Sequence, residues 1–127
     1  MANEKVAAMV APETKVEEEK EFNRLIVRDQ NGTRYTLEFN RRTVETMERR
    51  GFKLDMDYPN TNIKELFRGA FQVNHKGMMP DRIDRIWDQQ KNKEGLLGKL
   101  VQLYMKPLEA LMAEPKDEDE NPTWETV

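Results

Sequence analysis

Apolar residues fall along this chain in two periods. Between residues 22 and 39 the period is two. Leu25 and Val27 alternate with Arg24, Ile26 and Arg28; Tyr35, Leu37 and Phe39 alternate with Arg34, Thr36 and Glu38. Alternation of this kind marks strands with one buried face. Asp29-Gln30-Asn31-Gly32 lies between the two runs. A two-residue Asn-Gly turn would set Ile26 opposite Leu37 and leave Leu25 and Val27 on the other face. A type I turn beginning at Asp29, with Gly32 left-handed, closes a three-residue loop instead. It sets Val27 opposite Tyr35 and Leu25 opposite Leu37, gathers the better apolar set on one face, and is the expected register. Ile26 then points the other way, toward a covered second face or a β-partner. A lone hairpin is marginal, so it has to pack on helices.

After Phe39 the period becomes helical. Asn40 suits an N-cap, with Phe39 placed to staple onto Val44. Val44 and Met47 form the stripe, Arg49 and Arg50 favour the C-terminal end of the helix dipole, and Gly51 suits the left-handed cap with Phe52 reaching back to Met47. This predicts a helix over about 41–50. Residues 53–61 read as a connector in which Leu54, Met56 and Tyr58 alternate. Asn62 and Glu65 have capping-box spacing. Ile63, Leu66, Phe67, Ala70, Phe71 and Val73 then share one face at about 100° per residue, and Gly77 supplies a stop, so a second helix is expected over 63–76. Pro80 suits a first turn; Ile83, Ile86 and Trp87 give a third helix over 80–91. Asn92 can cap a fourth over 93–106, whose Leu96, Leu97, Leu100, Val101, Leu103 and Tyr104 cover an arc wider than one buried stripe needs. Pro107 is expected to end or kink it, leaving Leu108, Leu111 and Met112 in a last turn over 108–112.

Composition changes this picture at the ends. Charged residues reach 35% against 37% hydrophobic, and they are unevenly placed. Residues 1–21 hold six Glu against three Lys, with Pro12 among them; residues 113–127 hold six acidic residues against Lys116, with Pro115 and Pro122. In a chain of net −3 the stretch between is therefore positive. Both ends have too little apolar area to offset the entropy of ordering and are expected to be disordered acidic tails. The expectation is an α+β fold: an N-terminal hairpin on a small bundle of four to five short helices, one folded domain over 22–112. The short apolar run Val6 to Ala11, ended by Pro12, is too brief for a signal-peptide core. No apolar stretch is long enough to span a membrane. The chain has no cysteine, which removes disulfides, thiol nucleophiles and cysteine metal sites and suits an intracellular setting.

Candidate chemistry is sparse. His75 is the lone histidine, with no second His or Cys for a metal or a triad, and it falls on the polar face of the expected second helix. Asp55 and Asp57 are not followed by the Gly and bidentate Glu of a calcium loop. Gly95-Leu96-Leu97-Gly98 lacks the Gly-Lys-Ser/Thr ending of a phosphate loop. No catalytic, metal or cofactor site is expected. Arg24, Arg28 and Arg34 on the hairpin and Arg41, Arg42, Arg49 and Arg50 on the first helix could meet phosphates. No recognition motif accompanies them, and the acidic tails would repel a polyanion. The apolar surplus on the second and fourth helices is mostly core in so small a domain, with Gly69-Ala70 leaving room for a close neighbour and some of the arc left for a partner.

Thr43-Val44-Glu45-Thr46-Met47-Glu48-Arg49-Arg50-Gly51-Phe52 follows the hairpin. Then come Leu66-Phe67-Arg68-Gly69-Ala70-Phe71, Leu97-Gly98-Lys99-Leu100-Val101-Gln102-Leu103-Tyr104 and Pro107-Leu108-Glu109-Ala110-Leu111. In this order and spacing they resemble the small tail assembly chaperones of long-tailed, siphovirus-type phages and prophages. Asn121-Pro122-Thr123-Trp124 also looks like the ending of those proteins. The resemblance implies a non-enzymatic protein that coats the tape measure protein during tail morphogenesis and helps recruit tail tube subunits. It implies work in the bacterial host cytoplasm and departure before the virion is mature, and it is compatible with a homo-oligomer. Such proteins often also occur as a longer frameshift product, and the acidic tail sits where the extension would join. Partner contact is expected at Leu66, Phe67, Ala70, Phe71, Leu97, Val101, Tyr104 and Trp124. The alternatives are a small nucleic-acid-binding phage protein using the basic hairpin and first helix, or a minor structural protein of the virion.

Overall fold

The three-residue turn forms as its residues require. In the computed structural model, which describes residues 21–115 and 123–127, Gly32 takes φ +85° and donates its N–H to the Asp29 carbonyl at 2.9 Å. The Asp29 carboxylate completes the turn. Its Oδ1 accepts from the N–H groups of Asn31 (2.9 Å) and Thr33 (3.0 Å), and its Oδ2 accepts from the Tyr35 hydroxyl. Strands β1 (Leu25–Arg28) and β2 (Arg34–Leu37) pair antiparallel with Leu25 opposite Leu37 and Val27 opposite Tyr35, the register expected from the apolar pattern. Val27, Tyr35 and Leu37 are buried on one face, and Ile26 on the other is 42% exposed.

Four helices follow among the described residues, giving an α+β fold. Helix α1 (Arg41–Arg49) starts where Asn40 Oδ1 accepts from the Thr43 N–H at 2.8 Å. It ends in a Schellman arrangement: Gly51 at φ +97° donates to the Glu48 carbonyl, and Phe52 donates to the Met47 carbonyl. Helix α2 is Pro59–Ala70, four residues earlier at its start and six shorter at its end than the pattern implied. Pro59 opens it, where a missing N–H costs nothing. Asn62 does not cap it. That side chain is buried, and its Oδ1 accepts from the Asp55 N–H at 2.7 Å, which ties the connector down. Helix α3 (Pro80–Gln89) closes two residues before the expected end. Helix α4 runs unbroken from Lys93 to Met112, its first turn capped by Asn92 in the left-handed region. The separate last helix expected after Pro107 is not formed. The Pro107 ring is buried instead, and burial outweighs the local preference for a break.

The end of α2 explains its shortness. The Ala70 carbonyl accepts from the Glu38 N–H rather than from a residue of a further helical turn. Residues 71–77 then fold as turns along the outer edge of β2, ending at Gly77 (φ +98°).

Helix α2 packs on α4 and α3, and α1 packs on α4 and α2. Leu66, Phe67, Ala70 and Phe71 are wholly buried among Leu37, Ile83, Ile86, Leu100 and Leu103. Edge-on ring pairs link Trp87 to Phe67 (5.0 Å) and Phe67 to Phe71 (5.1 Å), and a second set joins Phe39 and Phe52 to Tyr104. The room expected at Gly69 is taken by α1. A Cβ there would lie 2.5 Å from the Met47 sulfur and 3.3 Å from Phe39 Cε1. Outside the core, Arg68 on α2 donates from Nε (3.0 Å) and Nη2 (2.6 Å) to the two oxygens of Asp84 on α3.

Two expectations follow. Gly69→Val overpacks the contact between α1 and α2 and lowers stability by about 1–3 kcal/mol in urea unfolding; an unchanged midpoint would show that Met47 does not lie there. The Arg68 hydrogen bonds outweigh partial burial and hold the Asp84 carboxyl below the usual carboxylate range. A depressed folded-state value stabilises the fold fully above the unfolded value of about 3.9 and ceases to do so as pH falls through the folded value. Asp84→Asn therefore costs about 1–2 kcal/mol at pH 7, and its deficit against wild type closes as the pH is lowered below about 4. A deficit independent of pH would contradict that role.

Candidate interaction surfaces

His75 is not on a solvated helix face, because α2 has already ended. Its Nε2 accepts the Thr36 N–H at 3.0 Å, and its ring stands edge-on to Tyr35 at 5.4 Å and tilted to Phe71 at 5.8 Å. The Thr36 backbone groups face away from β1, its N–H meeting the His75 ring and its carbonyl the Asn74 amide. Asn74 supports the same edge, donating from Nδ2 to the Thr36 carbonyl and to Glu38 Oε1. His75 thus closes a strand edge. No group of His, Asp and Glu suited to a metal ion occurs among the described residues.

Of the eight expected contact residues, five have no surface to offer. Leu66, Phe67, Ala70, Phe71 and Tyr104 are buried by the chain's own hairpin and helices, so the expectation that they meet a partner is corrected. The helical pattern showed that they are apolar and share a face, but not that Leu37, Phe39 and α4 cover it. Leu97 and Val101 are half-buried against the core. Trp124 is 82% exposed.

The structure points to two other surfaces. The first is the end of α4. Leu108, Leu111 and Met112, at 48%, 59% and 69% exposure, continue the helical face of Leu97, Val101, Tyr104 and Met105 beyond the point where the core stops. Spacings of three and four residues keep them on one side. That signal was present in the sequence, where the expected break at Pro107 hid it.

The second is a groove of about 690 Å³ between α1, α2 and the start of α3. Met47, Phe52, Val73 and Pro80 give it apolar walls, and Arg42, Arg50 and Lys76 stand on its rim. Arg68 also lines it but is committed to Asp84 and Glu65.

Two arginines outside the groove form ion pairs. Arg24 pairs with Glu38 at 3.4 Å and Arg49 with Glu45 at 3.8 Å. Arg28 and Arg34 are exposed and directly opposite across the hairpin.

Residues 6–127 match the family described as a domain of unknown function, DUF5055. The chain belongs to that family. No curated protein matches it, and no solved structure does. The DUF5055 match takes in the hairpin, α1 to α4 and Trp124, so both candidate surfaces lie within it.

Replacing His75 with Phe keeps an aromatic ring beside Tyr35 and Phe71 and removes the acceptor for the Thr36 N–H. In this DUF5055 chain the change should cost about 1–2 kcal/mol and speed hydrogen exchange at the Thr36 amide. Unaltered exchange there would return His75 to the solvent.

Proposed function

We propose that this protein is a non-enzymatic tail assembly chaperone that binds the helical tape measure protein of a long-tailed phage and assists recruitment of tail tube subunits. The observation that carries the reading is the overhang of α4. Leu108, Leu111 and Met112 extend a helical apolar face past the core that covers the rest of it. An apolar stripe at this spacing matches the face another amphipathic helix presents. Three half-exposed side chains make a small contact, which suits release once a tail is complete. The resemblance in the order of its packing segments to tail assembly chaperones supports the proposed biological setting, a host-cytoplasmic site of action and absence from the mature virion. In this reading the buried faces of α2 and α4 serve the fold.

Two alternatives make different demands. A nucleic-acid-binding role would use Arg28 and Arg34 with α1 and would show salt-dependent retention of DNA or RNA. A minor virion protein would be found by mass spectrometry of purified particles.

Co-expression with the tape measure protein of the same phage tests the proposal. The tape measure protein should become soluble and co-purify with this chain. Leu108→Glu with Leu111→Glu should abolish the complex while leaving the circular dichroism and unfolding midpoint of the chaperone nearly unchanged, because both positions are exposed. A tape measure protein equally soluble alone, with no complex recovered, would end the reading.

A further inference from the structure

The groove between α1 and α2 has a chemistry distinct from the α4 overhang. Its apolar walls come from Met47, Phe52, Val73 and Pro80. Gly69 contributes by having no side chain, which lets Met47 lie against α2 as part of the groove. Around these walls stand Arg42, Arg50 and Lys76, all exposed, and no ion pair joins them to another described residue. The acidic group on the rim, Glu65, is 3.8 Å from Arg68. Among the described residues the unpaired charge of the rim is therefore positive.

We propose that this groove is a docking site for an acidic amphipathic helix of a partner protein, with apolar side chains seated on Met47, Phe52 and Val73 and carboxylates meeting Arg42, Arg50 and Lys76. Charge complementarity selects an acidic occupant, and the apolar walls require one with a hydrophobic stripe. A helix fits better than a strand. The groove lies between helices and offers side chains, whereas strand addition needs a free backbone edge. Helix α1, nine residues long, spans about 13 Å, which sets the footprint at between two and three turns of the ligand. The inference stands apart from the tail-assembly reading: it uses another face, and its test uses no phage protein.

The test is a fluorescein-labelled 16-residue peptide with Leu at positions spaced i, i+3, i+4 and i+7 and Glu at most others, titrated against the full chain by anisotropy. Saturable binding is expected, weakening at least several-fold between about 50 and 300 mM salt. The peptide should move the amide resonances of α1, the Arg68–Lys76 stretch and Phe52 in the wild-type chain, a readout needing no variant. Arg42→Gln/Arg50→Gln/Lys76→Gln should weaken binding tenfold or more with the fold retained. Leu108→Glu/Leu111→Glu should leave it unchanged. Absence of binding would overturn the proposal. Equal binding of a scrambled peptide of the same composition would also overturn it, since charge alone would then suffice. So would groove resonances that shift, with no peptide present, when Glu114, Asp117, Glu118, Asp119 and Glu120 are changed to their amides. That result would make the chain's own acidic C-terminal stretch the occupant.

Discussion

Two strands of four residues cannot hold themselves in water, and this hairpin is held by the end of α2. Phe71 sits under Tyr35, the Ala70 carbonyl takes the Glu38 N–H, and the His75 ring takes the Thr36 N–H. One stretch of five or six residues thus supplies apolar burial to the face of β2 and hydrogen bonds to its edge. The turn of α2 just before it is the centre of the helical layer, since Phe67 reaches Trp87 on α3 and Leu66 and Ala70 lie within the core formed with α4. The α2 terminus therefore meets two demands at once. A longer helix would keep its own ladder intact but would leave the backbone of β2 exposed along its outer edge, an invitation to pairing with another chain.

That arrangement decides which apolar residues remain for other molecules. Everything at the middle of α2 is consumed. The N-terminal half of α4 is largely consumed, and its last turns are not, because the hairpin and the other helices have run out beneath them. On the opposite side of α2 the short α1 covers Gly69 with a single methionine, and the shallow space beside it becomes the groove. The exposed apolar surfaces of this fold are thus what is left where its elements end.

Local chemistry was legible where local partners decide the outcome. The hairpin register followed from Leu25, Val27, Tyr35 and Leu37 together with Gly32. The limits of α1 followed from Asn40 and Gly51. It failed where distant partners decide. Asn62 and Glu65 have the spacing of a capping box, but the Asn62 side chain is claimed by an N–H seven residues back, and Pro59 had already begun the helix. His75 fell on a polar face only on the assumption that α2 continued, and what ends α2 is a strand more than thirty residues earlier in the chain. Pro107 carries a strong local preference that burial of its ring overrides. The contact residues failed for the same reason: a period of 3.6 marks an apolar face but not the molecule that covers it. Leu108, Leu111 and Met112 were visible as a turn, and only the extent of the core shows them to be uncovered.

The size of each surface argues for their use together. Completing the burial of Leu108, Leu111 and Met112 is worth about 3–5 kcal/mol at the usual value for burying a large apolar side chain, scaled by the exposure that remains. Association costs an estimated 4–15 kcal/mol in lost freedom of motion. The α4 overhang alone would therefore give a weak complex. A contact at the basic groove on the same partner would pay that cost once for two surfaces, and repetition along a long helical partner would raise the effective concentration of each further contact. Weak contacts used many times also come apart when neighbours are displaced one by one. On the function proposed above, a short, exposed α4 terminus would suit temporary coating of an elongated helical protein better than a large permanent interface would.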